Sequence, residues 1–165
     1  MNISELRSEL NNIERLEPAL KMLVDSYQKI IILGNGGSNS IASHISQDYT
    51  KALGKTSFTF SDASRLTCYI NDYGMEHAYR QFLKEFVEKD TLVILISSSG
   101  ESENILNAAR YCQSKKLRYI TLSGFSKSNR LNSFTDSDIN YWVNSKDYGV
   151  IECAHLMFLH SIIKY

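Results

Sequence analysis

Apolar residues recur at Ile3, Leu6, Leu10, Ile13, Leu16, Leu20 and Leu23, a three/four spacing that predicts one stripe along a helix. Asn2 and Glu5 stand ahead of it at capping-box spacing. Pro18, the single proline, falls inside the pattern, where its missing N–H and its ring predict a kink or a break into two helices near Leu16–Glu17. Lys29–Leu33 (KIIIL) is a short β-branched run ended at once by Gly34-Asn35-Gly36-Gly37-Ser38, which predicts a buried strand and a tight turn, with a helix from Asn39 to about Ala52.

The same alternation continues. Thr56–Phe60 predicts a strand, Ala63–Ile70 a short helix, Asn71-Asp72-Tyr73-Gly74 a turn, and Met75–Glu88 a helix with Phe82, Phe86 and Val87 on one face. Thr91–Ile96 (TLVILI) is uninterruptedly apolar, as in a strand covered on both faces. Ile105–Ser114 reads as helix, Arg118–Leu122 and Ile139–Val143 as strands, and a last helix is expected from about Gly149 to Lys164. Strands alternating with helices, without hairpin signals, predict an α/β fold: a single doubly wound three-layer αβα sandwich around a parallel sheet of about five strands.

Length and charge narrow the possibilities. The 165 residues leave room for one domain, and 43% hydrophobic with 22% charged residues is the balance of a folded protein, not a disordered one. Eighteen Lys+Arg against eighteen Asp+Glu cancel, so no basic field is available to bind nucleic acid, and an anionic ligand must be held locally. Cys68, Cys112 and Cys153 are odd in number without CxxC spacing, and no secretory pattern opens the chain; the expectation is a reduced, cytoplasmic protein. No apolar run approaches the roughly 20 residues of a membrane span, so no membrane partner is expected.

Two loops share one design, in which a buried strand ends, small and hydroxyl residues follow, and a helix begins. In the first, Gly34, Gly36 and Gly37 allow close backbone approach and Ser38 can cap the helix; in the second, Ser97, Ser98, Ser99 and Ser102 surround Gly100. Helix N-termini bind anions through free N–H groups and the helix dipole, and in open α/β sheets ligands bind beyond the carboxyl ends of the strands, where both loops fall. GNGGS is neither a Walker A, lacking the lysine, nor a GxGxxG, since position 39 is Asn. The two loops together point to a phosphate.

A second group is acidic and imidazole-bearing. His44 and Asp48 lie four apart on the helix after GNGGS, and Glu152 and His160 lie eight apart on the last helix, about 80° around it, so both can face one site. Carboxylate and imidazole suit proton transfer at a carbon next to a carbonyl; the same four side chains can equally ligate a divalent metal. His155 and His160 can also be read as partly buried structural histidines.

These motifs, Ile32-Leu33-Gly34-Asn35-Gly36-Gly37-Ser38, His44, Asn71-Asp72-Tyr73-Gly74, Ile96 through Ser102, and Ile151-Glu152-Cys153-Ala154-His155 with His160, resemble the sugar isomerase (SIS) domain and, within it, the phosphoheptose isomerase branch. The resemblance runs from about Lys29 to the C-terminus. It implies a SIS domain over residues 28–165 and, over residues 1–27, a helical extension that makes oligomer contacts. It further implies phosphate-binding Ser38, Ser97, Ser99 and Ser102, with Ser98, Gly36 and Gly37 in the same loops. Asn35, Asp72 and Glu152 would contact the substrate, His44, Asp48, Glu152 and His160 would hold zinc, and His160 and Asp48 would be catalytic. The implied assembly is a homotetramer with active sites at subunit contacts. Three positions depart from the family pattern: Asp48 replaces Glu, Glu152 replaces Gln, and Gly149 replaces an Asp. The implied activity is aldose–ketose isomerisation of sedoheptulose 7-phosphate to D-glycero-D-manno-heptose 7-phosphate for bacterial lipopolysaccharide or capsule. A non-catalytic phosphosugar-binding or docking module, and an isomerase for another phosphosugar, are the alternatives.

Overall fold

Buried residues along the inner strands divide strictly by parity. Ile30, Ile32, Leu92, Ile94 and Ile96 face one core, and Ile31, Leu33, Val93 and Leu95 face the other. Both sheet faces are therefore covered, which is why these strands read as unbroken apolar runs. The computed structural model describes residues 1–164. In chain order its elements are α1 (Ile3–Ser26), β1 (Lys29–Leu33), α2 (Gly37–Leu53), β2 (Thr56–Thr59), α3 (Ala63–Tyr73), α4 (Met75–Phe86), β3 (Thr91–Ser97), α5 (Glu103–Lys115), β4 (Arg118–Ser123), β5 (Ile139–Trp142) and α6 (Tyr148–His160), with a 3₁₀ turn at Leu131–Ser133.

All strand pairs are parallel, in the order β2-β1-β3-β4-β5. The order in which strands are added reverses between β1 and β3, so the loops leaving their carboxyl ends run to opposite faces of the sheet and open a crevice. α1, α2 and α6 cover one face, and α3, α4 and α5 the other. Seven-residue β3 is buried along its whole length, each fully enclosed aliphatic side chain contributing roughly 1.5–3 kcal/mol by transfer from water. This is the expected three-layer αβα sandwich with five parallel strands. No helix among the described residues is long and apolar enough to cross a membrane.

Several local expectations are corrected. α1 runs unbroken through Pro18. Pro18 is exposed, as is Glu14, whose carbonyl loses its partner and can be hydrated, while buried Ile13 and Leu20 hold the helix on either side. At its start, Asn2 accepts from the N–H groups of Ser4 and Glu5 and donates its side-chain amide to Glu5 at 2.7 Å, a capping box closed through side chains. α1 also buries Ile13, Leu20, Leu23 and Val24 in the core shared by α2, α6 and the sheet, leaving Ile3, Leu10 and Met22 exposed.

Residues Asn71–Tyr73 are helical, not a turn: Tyr69 and Tyr73 pack edge to face at 5.6 Å, and the stop comes at Gly74, whose φ of 78° favours glycine. α2 begins at Gly37, two residues before its expected start. α6 ends at His160, short of Lys164, where the Ser161 hydroxyl donates to the Phe158 carbonyl at 2.8 Å and competes with the helix ladder.

Candidate active site

Where β1 and β3 end, α2 and α5 begin, and their starts meet across a cavity of about 270 Å³. Asn35–Ser38, Ser97–Ser99, Ser102 and Glu152 line it, as expected from the sequence, and Ile96 and Tyr148 join them. Neither Gly36 nor Ser102, the residues preceding the two helices, caps its helix with a side-chain hydrogen bond. Free N–H groups and the positive ends of two helix dipoles thus converge on one small space, the arrangement that holds an oxyanion. No lysine or arginine lines the cavity.

Long-range ties hold the loops. The side-chain amides of Asn35 and Asn104 exchange two hydrogen bonds of 2.9 Å, joining the first loop to the start of α5. Within the second loop, the Ser97 hydroxyl donates to that of Ser102 at 3.2 Å and accepts from the Gly100 N–H, while the Ser99 hydroxyl accepts from the Glu101 N–H. The buried Ser98 hydroxyl has no partner among the described residues. Gly100 has φ 68° and sits against buried Asn129, so any side chain there would be strained and would also strike Asn129. Sequence reading missed Asn104, Asn129 and Tyr148. The signal available was an amide next to each phosphate-loop motif, which carries no weight until the two loops are known to face each other.

A second group lies farther along α2, joined by the end of α6. His44 Nε2 and His160 Nε2 stand 3.4 and 3.7 Å from the Asp48 carboxylate, with the imidazole centroids 5.1 Å apart. One ligand atom from each of the three residues falls within 4.8 Å of the others. Asp48 is buried at 7% exposure, and His44 opens to the surface. Two imidazole nitrogens and one carboxylate oxygen, too far apart for good hydrogen bonds, match the three-ligand, one-open-position chemistry of a catalytic metal site, so the residues fit a divalent ion. His160 is held below the ordinary imidazole range, first by partial burial and then by neighbouring His44, with Asp48 opposing.

Glu152 does not join this group, which corrects the expected four-ligand set. Eight residues along a helix bring two side chains to nearby angles but separate them by about 12 Å of rise, and the angle alone had suggested convergence. Glu152 instead lies over Gly37, its Cδ 2.7 Å from where a Cβ at that residue would sit, so a side chain there would displace the Glu152 carboxylate. Asp72 is outside the cavity too. Helix α3 carries it to the surface, where its carboxylate accepts from Asn71 at 2.9 Å and from the Cys68 thiol. His155 is fully buried and bonds the Ser123 carbonyl at 3.1 Å, tying α6 to the end of β4 away from both groups.

Comparison with known proteins agrees with this geometry. Phosphoheptose isomerase of Histophilus somni is 31% identical over 130 residues, covering 74% of this chain and 67% of the relative. That of Fusobacterium nucleatum is 28% identical over 165 residues, covering 97% and 84%. The solved phosphoheptose isomerase of Neisseria gonorrhoeae superposes with a TM-score of 0.80 at 23% identity, covering 97% of this chain and 91% of that one, and so shares the fold. The SIS domain family matches residues 2–124, a span that includes both loops, the switch point between them and the His44–Asp48 helix, and the chain belongs to the SIS domain family.

Proposed function

We propose that the chain is an aldose–ketose isomerase acting on a sugar phosphate, interconverting sedoheptulose 7-phosphate and D-glycero-D-manno-heptose 7-phosphate to supply bacterial heptose. The observation that carries this is the two-level site: uncapped helix starts and serines above, and an imidazole–carboxylate–imidazole group below, on helices that both levels share. From Ser38 to His44 the rise along α2 is about 9 Å, which lets an extended phosphosugar reach from one level to the other. The curated relatives named phosphoheptose isomerase support the choice of sugar.

In this mechanism Ser97, Ser99, Ser102 and the start of α5 hold the phosphate, Asn35 and Glu152 take sugar hydroxyls, and His160 faces the carbonyl end. Partial burial, and then neighbouring His44, favour the neutral form of His160, which can accept the proton from C1 of the ketose and return it to C2. Asp48, buried beside it, stabilises the imidazolium formed between these transfers and relays the hydroxyl proton. His44, Asp48 and His160 would also hold zinc, which when bound supplies Lewis acidity to polarise the carbonyl. In zinc-loaded protein the proton work would pass to a group outside the three.

The proposal includes a cytoplasmic homotetramer in which residues 1–27 make subunit contacts around residues 28–165. Exposed Ile3, Leu10 and Met22 on α1 and the open side of His44 support an intersubunit role for these surfaces, and a monomer in light scattering at micromolar concentration would count against it. The test of function is incubation with sedoheptulose 7-phosphate in D2O, followed by NMR. Wild type should form the aldose with exchange of the transferred proton, and His160→Ala should lose the exchange while still binding phosphate. A wild type that binds phosphosugars and converts none of them would instead be a phosphosugar-binding module.

A further inference from the structure

Two carboxylates flank the anion site. Glu101 lies within the serine loop and Glu103 opens α5, one on either side of Ser102, yet neither lines the cavity. Both are held from behind by a single side chain in the β4–β5 connection. Arg130 donates from Nε to Glu101 Oε2 at 2.7 Å, from its backbone N–H to Glu101 Oε1 at 3.0 Å, from Nη2 to the Glu101 carbonyl at 3.1 Å, and from Nη1 to Glu103 Oε2 at 2.9 Å. Arg110 takes the other Glu103 oxygen at 2.7 Å.

The connection that carries Arg130 is itself fixed to the loop. Asn129, 1% exposed, donates to Ser123, Gly124 and Ser126 and fills the space beside Gly100, and the Leu131 N–H donates to the Gly100 carbonyl at 3.0 Å. An isolated exposed ion pair stabilises a fold little, but a fork that satisfies one carboxylate twice and reaches a second has defined geometry. It matters here because the cavity has no cation of its own: hydroxyls and N–H groups must hold a dianion, and two unrestrained carboxylates one residue from Ser102 would oppose it.

We infer that Arg130 is a positioning residue for anion recognition, one that fixes the Glu101 and Glu103 carboxylates on the outer side of the loop so that their charge does not act on the bound phosphate. This rests on the cavity being a phosphate site. Hydrogen bonds from Arg130 to Glu101, and from Arg110 and then Arg130 to Glu103, hold both carboxyls below their usual range, so their charge must be restrained, not neutralised.

Calorimetric titration of the full chain with inorganic phosphate tests it. Arg130→Met should weaken phosphate binding about tenfold at low salt, through loss of the guanidinium charge and release of Glu101, with Glu103 left on Arg110 alone, and raise KM for sedoheptulose 7-phosphate with kcat unchanged. The defect should shrink in about 1 M salt, where such charges are screened within about 3 Å. Adding Glu101→Gln and Glu103→Gln to Arg130→Met should restore binding. Wild-type affinity in Arg130→Met, or a loss that neither salt nor the glutamine pair restores, would overturn the role of Arg130 alone. Absence of phosphate binding by wild type would overturn the reading of the cavity, and this inference with it.

Discussion

Acidification from neutrality to about pH 4 should remove stability from the fold through His155. The ring is fully enclosed, bonds the Ser123 carbonyl at 3.1 Å, and has no partner for Nδ1 among the described residues. Burial pushes its pKa from 6.5 down to about 4, against a small opposing effect of that hydrogen bond. In the unfolded chain the imidazole protonates near 6.5, so between the two values the unfolded state binds more protons, and stability falls as pH drops. The loss begins below about 6.5, is complete below about 4, and at 1.36 kcal/mol per pKa unit amounts to about 3 kcal/mol. That is a large share of the roughly 5–15 kcal/mol of a typical domain. His155→Gln removes the titration and keeps an amide donor near the Ser123 carbonyl. Urea unfolding of both proteins, followed by circular dichroism across this pH range, isolates the residue, because carboxylates common to both cancel in the difference. Wild type should lose about 3 kcal/mol more than the variant on acidification; parallel curves would refute a buried neutral His155 as the anchor between α6 and β4.

Ser99→Ala combined with Ser102→Ala should weaken phosphate binding by roughly 1–3 kcal/mol, the range for hydrogen bonds to a charged group, and unchanged calorimetric affinity would place the anion elsewhere. Zinc uptake should hold at neutral pH and weaken as pH falls through the imidazole range, because ligands must be deprotonated; protein that takes up no zinc in equilibrium dialysis would end the metal role of His44, Asp48 and His160. Gly37→Ala should gain up to about 1 kcal/mol of helix propensity in a Glu152→Ala background but not in wild type, where Glu152 occupies the space of the new methyl. Denaturant unfolding of the four proteins measures that coupling, and additive effects would show that Glu152 does not rest on Gly37.

The sheet was legible because its inner strands are buried on both faces, and such a strand writes itself as an unbroken run: Ile30–Leu33 and Leu92–Ile96 needed no tertiary information. Expectations failed where local propensity met a tertiary contact. Asn71-Asp72 has turn chemistry, yet Tyr69, Ile70 and Tyr73 pack beside it and carry the helix on to Gly74. Pro18 should interrupt α1, yet the buried residues on either side outweigh the lost hydrogen bond. The serine loop was readable for a different reason. Its chemistry lies in one contiguous stretch after a strand, whereas Asn104, Asn129 and Arg130 act on it across distances that no sequence spacing encodes.

Glu152 shows how far spacing can carry a site and where it stops. Counting residues along α6 suggested that Glu152 and His160 converge, but the two stand apart, one over Gly37 and the other beside Asp48. The departures from the family pattern therefore act separately. Asp48 sets a carboxylate between the two imidazoles, so under the proposed function its consequence falls on the chemistry at the carbonyl end. Glu152 adds a charge to a cavity that has no cation, so its consequence falls on how an anion is held. Under the proposed function, repulsion between a dianionic phosphate and this carboxylate favours the phosphate on the α5 side, against the serines, and leaves the start of α2 to Glu152 and the sugar hydroxyls it accepts. Under the proposed function that division orients the substrate: phosphate toward Ser97–Ser102, and the carbonyl end along α2 toward His44 and His160.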